Sequence, residues 1–104
     1  MAMYFVSIFV KPLQDNPLRE KVDEARVFFW IVDESPENAM QRAKDYLIKY
    51  KWDVQSVEKS AFEVTAADFA GKEEAMLGFW KAKQKGFAAQ FTARPKPESG
   101  NLSG

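Results

Sequence analysis

Val27 to Val32 reads Val-Phe-Phe-Trp-Ile-Val, six consecutive large apolar residues. β-Branched and aromatic side chains of this kind fit a pleated strand, in which successive side chains point to opposite faces. One face then carries Arg26, Phe28, Trp30 and Val32, and the other Val27, Phe29, Ile31 and Asp33. A strand with one face in water alternates apolar with polar, whereas this one needs cover on both sides. Tyr4 to Val10 has the same character: Tyr4, Val6, Ile8 and Val10 alternate with Phe5, Ser7 and Phe9. The even positions are the expected core face, and Phe5 and Phe9 are a surplus on the other.

The rest of the chain supplies a partial answer. Residues 11–25 hold two prolines and seven charged side chains, which predicts a long mobile connection between two antiparallel strands. Ser35 is placed to cap a helix whose first residue is Pro36, with Glu37 near the positive end of the dipole. Ala39, Met40, Ala43, Tyr46, Leu47 and Tyr50 recur at helical spacing, so the helix is expected over 36–50. Trp52 to Val57 reads as a third strand, continued through a bend or followed by a short extra strand in Glu58–Thr65. A second helix is expected over 72–85, with Ala75, Met76, Phe79 and Ala82 toward the sheet and Gly86 as its left-handed stop. Phe87, Ala89, Phe91 and Ala93 alternate along a last strand.

The order is β-β-α-β-α-β, an α+β arrangement with both helices expected on one face of a largely antiparallel sheet. The portion from Arg26 to Arg94 resembles a ferredoxin-like two-layer sandwich with an additional N-terminal strand as an extension. More loosely, the Ser35-Pro36-Glu37 helix start after a strand is similar to that of small uncharacterised bacterial proteins. Neither resemblance implies an activity, because such folds host unrelated functions.

A chain of 104 residues suffices for one domain, taken as residues 1–94, with 95–104 as a flexible tail. No cysteine and no histidine are present, which removes disulfides, thiolate chemistry, histidine general bases and the commonest transition-metal ligands. Neither nucleotide-binding glycine loop occurs, and no cofactor or metal is expected. The first residues lack a signal-peptide layout and are too short an apolar run to span a bilayer, so no membrane is expected and a cytoplasmic location is. With 15 basic and 15 acidic side chains the formal charge is zero, and scattered arginines argue against nucleic acid despite the aromatic strands.

Acid–base chemistry would have to come from carboxylate, lysine or tyrosine, and no catalytic residue stands out, so whether the chain is an enzyme is left open. Asp33–Glu34 reads as a solvated strand end and Glu73–Glu74 as a favourable first helical turn. The leading expectation is a homodimer, or another protein interaction, through the aromatic sheet face: Phe5, Phe9, Arg26, Phe28 and Trp30. Within one chain, residues 11–25 could fold over that face instead. The alternative is a small-molecule cleft at the helix–sheet seam, with Tyr50, Trp52 and Trp80 as its candidate walls. A ligand site requires aromatic walls converging with a few polar groups in a concavity.

Overall fold

In a computed structural model, residues 1–96 are described. The strands are β1 (Ala2–Pro12), β2 (Val22–Asp33), β3 (Trp52–Glu63) and β4 (Phe87–Pro95), and the helices α1 (Pro36–Lys49) and α2 (Glu73–Lys85). A 3-10 helix, Ala66–Phe69, precedes α2. The four strands form one open antiparallel sheet in the order β3-β1-β2-β4. Element order and sheet match the ferredoxin-like expectation with its additional N-terminal strand. That strand is no peripheral extension, however: β1 lies between β3 and β2. Both edges of β1 are therefore paired, and cores form on both of its faces, which is why its apolar residues occupy both parities.

Each face has its own core. Tyr4, Val6, Ile8 and Val10 join Val27, Phe29 and Ile31 beneath Ala39, Ala43 and Leu47 of α1. The even face of β1 is therefore the α1 face, as its periodicity predicts. On the opposite face Met3, Phe5 and Trp30 pack with Phe69, Phe79 and Ala82. The expectation that both helices share one face fails here: α1 covers one side of the sheet, and the 3-10 helix with α2 covers part of the other. Six large residues in succession leave a chain with two helices no cheaper solution, since exposed apolar area costs roughly 25 cal/mol per Å².

Glycine makes the second contact possible. Gly78 lies directly over the indole of Trp30, and an added Cβ there would stand 2.6 Å from Trp30 Cε3. Trp30 is fully buried as a result. Downstream, Gly86 ends α2 at φ 86° and returns its N–H to Ala82 O, the left-handed stop that the sequence predicts. At the other helix Ser35 Oγ accepts the Asn38 N–H at 3.1 Å, closing the expected cap.

The connection between β1 and β2 is shorter than the expected 11–25, because the strands run on to Pro12 and start again at Val22. Nor does it cover the aromatic face. Buried Asn16 ties it to the α1–β3 turn, donating from Nδ2 to Lys51 O at 2.8 Å, while its Oδ1 accepts the Leu18 N–H at 2.8 Å. Of the expected tail, Pro95 closes β4 and the Lys96 N–H reaches Lys21 O at 2.9 Å; residues 97–104 lie outside the described residues. Glu58–Thr65 adds no separate strand, since β3 runs unbroken to Glu63.

In an unhindered helix Gly→Ala stabilises by about 0.5–1 kcal/mol. Gly78→Ala should instead destabilise, by about 1–3 kcal/mol, because the methyl group must displace α2 from Trp30. Urea denaturation monitored by circular dichroism reads the sign directly.

Candidate functional site

The 3-10 helix and α2 stop short of covering the whole second face, and a cleft opens where their cover ends. It has a volume of ≈ 580 Å³, within the usual range for small-molecule sites. Phe5, Phe28 and Trp30 form its sheet side, with Phe62 and Phe69 adding to the walls. The rings meet edge-on or tilted, with Phe5 centroids 5.4 Å from Phe28, 5.2 Å from Trp30 and 5.6 Å from Phe69. Such contacts hold the aromatic walls in fixed orientations, each worth about 0.5–1.5 kcal/mol beyond simple burial.

Polar groups enter from β1, β2 and β3. Ser7, almost fully buried, donates from Oγ to Glu58 Oε1 at 2.6 Å, and Arg26 Nη2 donates to Glu58 Oε2 at 2.8 Å. The Arg26 guanidinium also lies 5.1 Å from the Phe9 ring centroid and 5.5 Å from that of Phe28. Two ring faces and a carboxylate thus fix the arginine, while its buried Nε has no acceptor among the described residues. Trp30 Nε1 is likewise buried and without an acceptor among them. Gly78 covers the benzene edge of that indole, so the N–H lies on the edge away from Gly78.

A β-bulge supplies the third strand's contribution. Ser7 pairs with Lys59 and Ile8 with Val57, so Glu58 is an extra residue in β3. In regular pleat Glu58 and Lys59 would point to opposite faces; the bulge lets both line one cleft, and bulges commonly re-aim side chains in this way. Lys72 comes from the residue preceding α2, where it serves as N-cap with no side-chain hydrogen bond to the helix. Asp68 also lines the cleft, but its Oδ2 accepts the Thr65 N–H at 2.7 Å and so belongs to the start of the 3-10 helix.

Four of the five residues expected on the aromatic sheet face, Phe5, Arg26, Phe28 and Trp30, are brought together here. Phe9 stands beside Arg26. Phe5 and Trp30 are already covered by their own chain, so a charge at Trp30 would act on folding rather than on a subunit contact. The other expected set is dispersed. Trp52 belongs to the α1 core and Tyr50 to the exposed end of α1, whereas Trp80 is half-exposed on α2 across the sheet. Sequence reasoning missed Ser7, Glu58, Lys59, Phe62, Phe69 and Lys72; the unresolved bend read in Glu58–Thr65 was the available signal. Asp33 keeps its structural reading: the Glu34 N–H, then Arg42, hold its carboxyl below the ordinary range.

Among the described residues no group of acidic side chains is arranged to hold a metal ion, and no helix is long and apolar enough to cross a membrane. No protein-family model matches the chain, and no curated protein or solved structure matches it significantly.

The Arg26–Glu58 pair is partly exposed, at 42% and 29% of the side chains, so its strength is limited by water and salt. A double-mutant cycle with Arg26→Gln and Glu58→Gln should give a coupling of about 0.5–1 kcal/mol. It should diminish between low and high salt; a coupling near zero at low salt would mean that stacking on Phe9 and Phe28 holds the arginine by itself.

Proposed function

We propose that this protein is a small-molecule-binding domain whose site is the aromatic cleft beside the 3-10 helix. The carrying observation is the convergence, in one concavity, of five aromatic side chains with the fixed Ser7–Glu58–Arg26 group. Apolar walls supply the affinity of such a site, and a few oriented polar groups its selectivity. The reading keeps the small-molecule alternative raised by the sequence and moves it from Tyr50, Trp52 and Trp80 to the face of the sheet away from Tyr50 and Trp52, with different walls. A cytoplasmic location belongs to the same proposal, and the absence of cysteine is compatible with it.

Homodimerisation through the aromatic face is the competing occupant. Its support is weakened by the burial of Phe5 and Trp30 under the chain's own 3-10 helix and α2, which leaves Phe9, Phe28 and Phe62 as a narrow apolar strip. A standard interface buries roughly 800 Å² on each partner.

Phe62 provides a wall that can be removed without opening the core, because it is 43% exposed. A panel of small aromatic compounds should yield members that raise the melting temperature saturably; at 100 times Kd the stabilisation is about 2.7 kcal/mol. Phe62→Ser should weaken that response without altering the fold. Native mass spectrometry should then show one chain with one ligand. A persistent two-chain mass that excludes every compound would overturn the proposal in favour of the dimer.

A further inference from the structure

The cleft holds more cations than carboxylates: Arg26, Lys59 and Lys72 against Glu58 and Asp68. Glu58 has both carboxylate oxygens engaged, by Ser7 and Arg26, and Asp68 accepts the Thr65 N–H at Oδ2. On the other side of the balance stand the buried N–H groups of Trp30 Nε1 and Arg26 Nε. Lys59 and Lys72 also line the cleft, and neither belongs to an ion pair among the described residues. A molecule filling this space meets positive charge with apolar rings around it, and the unpaired N–H groups of Trp30 and Arg26 lie buried among the lining residues.

The position of Lys72 adds to this imbalance. It is the residue at which α2 begins, where the helix dipole is positive and a cation is disfavoured. Ser, Thr, Asp or Asn would cap the helix and stabilise it relative to a residue unable to do so. Lysine forgoes that gain and adds a repulsive charge. Lys59 stands opposite Ser7 in the ladder and so shares the cleft face with it, beside the extra residue Glu58. Two cations thus arrive at one concavity, and Lys72 does so at the expense of a helix cap, a pattern expected where function overrides stability.

Resting on the reading of the cleft as a binding site, we infer that its ligand is a small aromatic carboxylate, with the flat body among Phe5, Phe28 and Phe62 and the anionic end toward Lys59 and Lys72. A neutral aromatic would leave both lysines without a partner, and a cation would meet three cations, Arg26, Lys59 and Lys72, against the two carboxylates Glu58 and Asp68. Hydrogen bonds to a charged acceptor are stronger than those between neutral groups, less so where water competes at the rim.

The test uses 2-naphthoate and its neutral counterpart 2-naphthamide, which share one aromatic body and differ in charge. Titrations of the ¹⁵N-labelled full chain follow the indole N–H resonance of Trp30, with those of Trp52 and Trp80 as internal references. We expect 2-naphthoate to shift Trp30 selectively and to bind about tenfold more tightly than the amide. The preference should fall to within about twofold in the Lys59→Gln/Lys72→Gln double variant and in high salt. Those lysines are exposed, so the variant keeps its fold; near-ultraviolet circular dichroism checks this. Equal binding of the two probes, or a preference that survives loss of both lysines, overturns the carboxylate inference and leaves the cleft reading standing. Failure of both probes to move the Trp30 resonance overturns the two together.

Discussion

The architecture depends on covering the Phe5–Trp30 pair. These residues face each other across β1 and β2, the two central strands, on the side that α1 does not occupy. Leaving them in water would expose two large aromatic side chains at the middle of the sheet. Gly78 resolves the problem by letting α2 approach until its backbone rests on the indole. A side chain at that point would hold α2 off the sheet and leave Trp30 only partly covered. The 3-10 helix completes the cover through Phe69, whose ring centroid is 5.9 Å from that of Trp30.

The candidate site follows from the limits of that cover. With 13 residues, α2 spans about 20 Å, and from Gly86 it reaches back over only part of the strands. Where it ends, the aromatic floor continues under Phe28 and Arg26, and the 3-10 helix forms a wall instead of a roof. Fold and site are therefore two consequences of one packing problem: an apolar sheet face longer than the helix placed on it. The bulged edge strand β3 closes the cleft on its remaining side and brings charge into it.

Much of the fold was legible from periodicity. The parity of β1 and β2, the Ser35 cap, the apolar stripes of both helices and the Gly86 stop are local properties, set by residues a few positions apart. The placement of α2 was not legible. Its stripe of Ala75, Phe79 and Ala82 fits either face equally well, and the contact that decides the matter joins Gly78 to Trp30, nearly fifty positions earlier. The site was legible by half for the same reason: the aromatic residues of β1 and β2 announce themselves by number and alternation, whereas Glu58 and Lys59 share a face only because β3 bulges against Ser7.

By itself, the sequence determined that this chain makes an antiparallel sheet with two amphipathic helices, and that both faces of its central strands must be dry. It also determined what chemistry is absent, since no cysteine or histidine is present. Only the tertiary structure decided which helix covers which face, that β1 is central, and that the surplus aromatic surface becomes a concave cleft instead of a flat patch. Local patterning specifies which side chains need burial. Which partners bury them is decided by long-range packing, where a single missing Cβ can select one arrangement over another.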